Sequence, residues 1–564
     1  MRCSGSHERA ALLFHLDALI VALVRLGERQ RRVAQHRARR LDPLGLAVRV
    51  RVENLPPVVL VEGVPLEVAP LAPPPVVDGA AQPILRAPVA NVARALGQPL
   101  VGDAAARPRR GAQPLLHLLR RGLRPPGLEQ PAGPAGLQAA KVVAQSGARV
   151  ILVDENPQLG GSLLVDQYEI DGSTAIKWVS ETEDQLQIND VVILSRTTVV
   201  GYHDHNYLVA HERRTDHVSE STLQSSRQRM HLIRASHVII ATGAQERPLV
   251  YANNDLPGCM QAYAVKSYIR KFGVVPGRKL ILMATNDAAW ETAFAWFDSG
   301  REVVAIVDSR AAPCADVLEG AVGRGIPVFA SSGVIEALGT ASVRGARVAR
   351  LSEGLVEGTV QNLDCDTIAS SGGWSPVVHL TCHTGVRPVW RDDIAGFVPG
   401  STTSNQHHVG GIIGEYSLAE LFNSAIKTSQ EVLADLELPK VEPDVPRVEV
   451  PRRSVSDQLY LVPHTKTVSR APKQFVDFQL DVSAADLHVA ALEGFESIEH
   501  VKRYTALGFG TDQGKLSNVN GVAIAAEAQG KTVAELGTTM FRPNYTPVAF
   551  GAIAGRNLGT LFDP

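Results

Sequence analysis

The stretch LEQPAGPAGLQAAKVVAQSGARVILVDENPQLGGSL, residues 128–163, decides the fold. AGLQAAKVVAQSG reads as a helix, and RVILVD after it is a short apolar β-type run that ends on an acid. In front of the helix, the glycine positions of a G-x-G-x-x-G loop fall on Pro131, Gly133 and Gly136. A glycine at the second position lets backbone approach a pyrophosphate, and one at the third lets the helix pack tightly on a strand, while the helix N-terminus attracts phosphate charge. Eighteen residues beyond Gly136, Asp154 stands where a carboxylate accepts hydrogen bonds from the adenosine ribose hydroxyls. That favours NAD or FAD over NADP, whose 2′-phosphate it would repel. Pro131 departs from the pattern, because its ring fixes φ at about −65° where the first glycine makes a tight turn. GLRPPG before it does not read as a β-strand.

Outward from this stretch, Gly160 and Gly161 follow in register, and HVIIATGAQERP supplies Thr242 and Gly243 in the strand-loop that closes such sites. The runs RVILV, VVILS, HVIIA, KLILMA, EVVAIV and IPVFA alternate with helical stretches, which predicts an α/β fold of parallel sheets covered by helices. LILMATNDAAWETAFAWFDSGREVVAIVD repeats the strand, loop, helix, strand, acid plan and ends on Asp308. Its loop, Ala284 to Ala289, has no glycine, and Asp287 would oppose a phosphate. This second unit is expected to be structural, leaving one dinucleotide per chain.

The net charge of −2 divides into +9 over residues 1–130, where 19 Arg and no Lys face 10 acids, and −11 over the rest. No amphipathic basic helix or aromatic stacking pattern accompanies the basic part, so nucleic acid is not the expected partner. Residues 1–130 lack Lys, Thr, Tyr and Trp and carry runs such as APLAPPPVV. They read either as a flexible extension or as GC-rich DNA translated in the wrong frame, and the second is favoured. ALLFHLDALIVALV is too short to span a bilayer and contains His15 and Asp17. Five scattered cysteines (Cys3, Cys259, Cys314, Cys365, Cys382) imply no disulfide framework, so a cytoplasmic protein is expected.

Three further runs, ATGAQERPLVYANNDLPGCMQAYAVKSYI, SSGGWSPVVHL and GFESIEHVKRYTALGFGTDQGKLSNVNGVAIAAEAQGKTVAELGTTMFRPNYTPVAFGAIAGR, closely resemble the α subunit of heterotetrameric sarcosine oxidase. The resemblance runs nearly continuously from Ala132 to Pro564. It implies a glutathione-reductase-like fold with two dinucleotide domains, the second degenerate, followed by a small helical unit. It also implies a noncovalent NAD held by Gly133, Gly136, Asp154, Gly161, Thr242 and Gly243. An FMN shared with a β subunit would lie near Thr511, Gln513, Gly514, Lys515, Ser517, Asn518 and Asn520. The β subunit would carry FAD and the catalytic residues of amine oxidation, with γ and δ subunits completing the complex. The final unit is similar to the iron-sulfur modules of related dehydrogenases, whose cluster cysteines are replaced here by Asp477, Gln479, Asp512 and Ser517. Without thiolates no cluster is expected. The family continues into a folate-binding domain, so this chain, ending at Pro564, is expected to be truncated and to hold no folate site.

The resulting layout places an NAD domain over 131–255 and 386–436, a degenerate unit over 256–385, a linker or extended crossing segment over 437–474, and the helical unit over 475–564. Two other functions compete with the sarcosine oxidase reading: the α subunit of an amine, proline or opine dehydrogenase, and a nonfunctional truncated product or assembly scaffold. His203, His205 and His211 in GYHDHNYLVAH read as a hairpin tip, because Asp204 and Asn206 are turn residues. His407 and His408 would face opposite sides of a strand, so no shared metal is expected between them. Cys365 and Cys382 read as core residues, and Lys502 with Arg503 as a solvated helix face beside the flavin loop.

Overall fold

The computed structural model describes residues 132–218, 226–402, 405–449, 456–543 and 546–555. Pro131, Cys3, His15, Asp17 and the rest of 1–130, with the readings made on them, lie outside the described residues. In chain order the parallel core is α1 (Pro134–Gln145), β1 (Ile151–Val153), β2 (Val192–Leu194), β3 (Val238–Ile240), β4 (Lys279–Ala284), α2 (Trp290–Asp298), β5 (Glu302–Asp308), β6 (Thr367–Ser371), β7 (Gln406–His408) and α3 (Leu418–Asp435).

Helix α1 starts on extended Gly133, with Pro134 in the first turn where its missing N–H leaves no bond unmade. It serves two strand pairs at once. Its Leu137, Ala140 and Ala144 pack in a cluster with Leu152 of β1 and Ile193 of β2, while Ala135 and Ala139 pack with Ile239 of β3 and with Val409. Among the described residues β1 pairs only with β2, and β3 only with β7, both in parallel. α3 lies against α1, opening on a capping box between Ser417 and Glu420.

The second unit is a five-stranded parallel sheet in the order Cys259–Gln261, β6, β4, β5, Val328–Phe329. Leu280 to Ala284 are fully buried because both faces of the sheet are covered. Trp290 and Trp296 of α2 cover one face. On the other lies an antiparallel sheet of Ser332–Gly339, Val343–Ser352 and Leu355–Asp364, which the βα alternation did not foretell. Trp374–Pro376 then pairs with Ala244–Glu246, returning the chain to the first unit before residue 385.

Residues 437–449 and 456–474 form an extended crossing segment rather than a free tether. The Asp457 N–H donates to the Thr285 carbonyl at 2.9 Å, and the Val462 N–H to the Val250 carbonyl at 2.8 Å, with the Val462 side chain fully buried. The last unit packs α4 (Ala484–Leu492), α5 (Ile498–Thr505) and α6 (Asn518–Ala528) around a core that also takes in Val250 and Phe397. Residues His203 to Tyr207 form the foreseen hairpin tip, with His205 and Asn206 at positive φ, and Cys365 and Cys382 are buried.

Candidate functional site

The N-terminus of α1 opens onto a cleft of about 820 Å³, its open mouth included, lined by Gly133, Gly136, Ser162, Ala241, Gly243 and Gly411 among others. Backbones converge here because side chains are missing at the crossings. A Cβ on Gly136 would stand 3.3 Å from the Ala241 methyl, and one on Gly411 would stand 3.1 Å from the Gly243 Cα. A Cβ on Gly133 would meet nothing within 4 Å, so that position faces open space. The Gly160 N–H donates to the Ala132 carbonyl at 3.1 Å, seating the second glycine pair, with Gly161 at positive φ, against the first loop. Thr242 turns away from the cleft, its hydroxyl donating to the Val377 carbonyl at 2.8 Å.

Asp154 follows β1 and is 1% exposed. Its Oδ1 accepts the Asn156 N–H at 2.7 Å, and its Oδ2 is buried without a hydrogen-bond partner among the described residues. Burial pushes its carboxyl up to about 7, against the opposing pull of the Asn156 N–H and of Lys271. A buried acceptor of this kind carries the full desolvation cost until a donor arrives.

The corresponding acid of the second unit is bonded on both oxygens. The Arg310 guanidinium donates to each oxygen of Asp308, at 2.9 and 2.8 Å, and the Trp290 indole donates to Oδ2 at 2.8 Å. The same guanidinium lies 2.8 Å from Asp287, the residue expected to repel a phosphate. Asp287 and Asp308 are both buried, so this ion cluster occupies the loop region with the unit's own side chains.

In the helical unit, Asp477, Gln479, Asp512 and Ser517 come together. Asp477 accepts the Gly508 N–H at 2.8 Å and the Ser517 hydroxyl at 3.3 Å. Gln479 accepts from the Thr511 backbone and hydroxyl at 2.6 and 3.1 Å, and Asp512 accepts the Gly514 N–H at 3.2 Å. The loop that these bonds shape presents Gln513 to a second cleft with Lys502, Arg503, Arg542 and Phe509. Burial, with the neighbouring Arg542 and Arg503 charges and against Glu499, lowers the Lys502 ammonium pKa. Ser517, Asn518 and Asn520 instead lie buried at the start of α6. Asn518 donates to the Thr539 hydroxyl at 3.3 Å and Asn520 to the Pro248 carbonyl at 2.8 Å.

Residues 132–394 match the family of pyridine nucleotide-disulphide oxidoreductases, and residues 471–556 match the sarcosine oxidase A3 domain. The sarcosine oxidase α subunit of Rhizobium meliloti (strain 1021) is 39% identical over 435 residues, which are 77% of this chain and 42% of that relative. The chain is a homologue of sarcosine oxidase α subunits. It spans less than half the length of those relatives. An opine oxidase subunit from Agrobacterium tumefaciens (strain Ach5) is 24% identical over 75% of this chain and 90% of its own. Among solved structures, L-proline dehydrogenase from P. horikoshii superimposes with a TM-score of 0.55 at 18% identity, over 75% of this chain and 78% of that one, and shows the same fold.

In this sarcosine oxidase α homologue the first cleft also contains residues that sequence reading passed over. Lys266 is buried at 3% exposure, with its ammonium 2.6 Å from Asp166 and 3.1 Å from Glu291. Those carboxylates outweigh the cost of burial and hold its pKa above the ordinary range. Tyr263 lies 5.0 Å beneath the ammonium and edge-on to Trp374, whose ring centroid is 5.3 Å away. A lysine on the inner stripe of AYAVKSYIRKF, beside Ala262 and Val265, is the signal that could have found it. Outside that lining, the buried Arg247 donates to the Gly372 and Ala395 carbonyls and lies over the Tyr460 ring at 5.2 Å. No helix among the described residues is long and apolar enough to cross a membrane.

Proposed function

We propose that this chain is the nucleotide-holding subunit of an amine-oxidising complex of the sarcosine oxidase kind, acting on the CH–NH group of its donor. The observation that carries the reading is a glycine-built cleft at a helix N-terminus, with Asp154, just after the strand that follows that helix, holding a buried, unpartnered Oδ2. Those residues fit an adenine dinucleotide: Gly133 leaves room for a pyrophosphate, the α1 N–H groups face it, and Asp154 accepts from a ribose hydroxyl. NAD is the dinucleotide, since a carboxylate at that place repels a 2′-phosphate, and Gly161, Thr242 and Gly243 shape the surrounding turns. The closed ion cluster of the second unit supports one dinucleotide per chain.

The second cleft is the place for FMN, shared with a β subunit. Lys502, Arg503 and Arg542 are there to neutralise its phosphate, and Gln513 in the 511–515 loop to donate to it. Nicotinamide and flavin, when bound, supply hydride and electron acceptance. The chain's own residues orient and hold these groups, and the bond-breaking residues belong to the partner. A β subunit with FAD, together with γ and δ subunits, completes the assembly. A second reading, one component of an opine-oxidising dehydrogenase, draws support from the 90% coverage of the opine oxidase relative.

Co-purification with a sarcosine oxidase β subunit, followed by release of bound nucleotides on denaturation, tests the proposal. One NAD and one FMN per αβ pair are expected, with the NAD lost in Asp154→Ala and the FMN retained. A complex free of both overturns the reading. Turnover of opines but not sarcosine replaces it with the second.

A further inference from the structure

The far ends of the elements that build the first cleft carry a cluster outside the proposed nucleotide chemistry. His237 immediately precedes β3, His407 lies in β7, and Asp435 is the last residue of α3. The His237 Nδ1 and His407 Nε2 are 3.1 Å apart, their rings stack with centroids 5.4 Å apart, and one ligand atom from each of the three residues lies within 4.8 Å of the others. His408, on the opposite face of β7, reaches 3.4 Å from the Gln406 amide instead.

We propose that His237, His407 and Asp435 form a structural site for a borderline divalent cation of the Zn²⁺ class. Two imidazole nitrogens each about 2.0–2.1 Å from a tetrahedral metal stand about 3.3 Å from each other. The histidine pair is within a few tenths of an ångström of that separation without rearrangement. One nitrogen comes from β7 and the other from the residue just before β3, and the two strands pair in parallel with His407 opposite Ile239, so the sheet positions the pair. Two imidazoles and one carboxylate select Zn²⁺, Co²⁺ or Ni²⁺ over Mg²⁺ and Ca²⁺, which take all-oxygen shells. The histidines are half-buried and Asp435 is exposed, which leaves a route for the ion and a fourth position for water.

Location gives the site its role. β3 runs from His237 toward Ala241 and Gly243, β7 leads to Val409 and Gly411, and α3 begins at Leu418. Each of these elements thus ends or starts in the cleft lining. A metal at the opposite ends would tie the helix to both strands without touching the cleft. The pairing is invisible in sequence because 170 residues separate the two histidines.

The test is calorimetric titration of the chelator-treated full chain with Zn²⁺, alongside the Co²⁺ visible spectrum and thermal unfolding. One saturable site is expected, with the intense visible bands of tetrahedral Co²⁺ and a metal-dependent rise in Tm. His407→Gln should weaken binding by about a hundredfold and Asp435→Asn by about tenfold. Asp435 is exposed, so its variant is expected to fold whether or not the histidine variant does. Absence of a saturable site, or a site whose affinity both variants leave unchanged, overturns the proposal.

Discussion

Asp154 and Asp308 occupy the same place in two versions of one strand, helix, strand plan, and their surroundings are opposite. Asp308 is bound by Arg310 and Trp290, whereas Asp154 keeps one buried oxygen without a donor among the described residues. The lesson is that loss of a binding loop is more than loss of glycines. The second unit has brought its own cation and indole to the acid, and the binding plan has become core.

The largest effect is expected where that core is broken. Arg310→Met removes the guanidinium that faces the buried Asp287 and Asp308, which costs about 3–5 kcal/mol, read as a lower midpoint in urea. NAD bound by the surviving folded fraction should be unchanged, and a proportional loss would show that the second unit binds nucleotide too.

Asp154→Asn sharpens the contrast with two readouts of opposite sign. Loss of a charge-assisted hydrogen bond should weaken NAD binding about 10- to 100-fold, on the order of 1.5–3 kcal/mol. Stability of the nucleotide-free chain should move the other way. The folded carboxyl titrates near 7 against 3.8 unfolded, so the folded form holds its proton longer and the wild type loses stability as pH rises from about 4 through 7. The asparagine variant lacks that loss and should be more stable at pH 8, by up to about 4 kcal/mol, with no advantage at pH 4. Equal pH profiles would mean that the acid is not buried.

Smaller effects follow at the phosphate ends. Lys502→Ala should lower FMN retention by about tenfold, about 1.4 kcal/mol, with NAD untouched. Gly133→Ala should change stability by less than about 0.5 kcal/mol, since its Cβ meets nothing, while measurably weakening NAD. A stability loss as large as that of Arg310→Met would show that the loop is packed rather than open.

The α/β order of the parallel core was legible because its signals are local. KLILMA, EVVAIV and the helix of residues 134–145 carry their periodicity within a dozen residues, and Gly136 and Asp154 sit at a fixed spacing. The cleft floor was less legible: Lys266 needs Asp166, 100 residues away, before its burial makes sense. Arg310 was passed over because the apparent repulsion at Asp287 was read without its partner. In the C-terminal unit, the loop could be placed by resemblance, but the inward turn of Asn518 and Asn520 depends on Thr539 and Pro248, which no spacing rule links to them.

The helical unit contributes to a core shared with Val250 and Phe397, and its Asn520 is bonded to Pro248, next to the enclosed Arg247. It is therefore no detachable cassette. A gene fusion or domain exchange that cuts at about residue 474 would strip apolar cover from both sides of the cut. Grafts meant to transplant this unit should carry the segment around residue 250 with it.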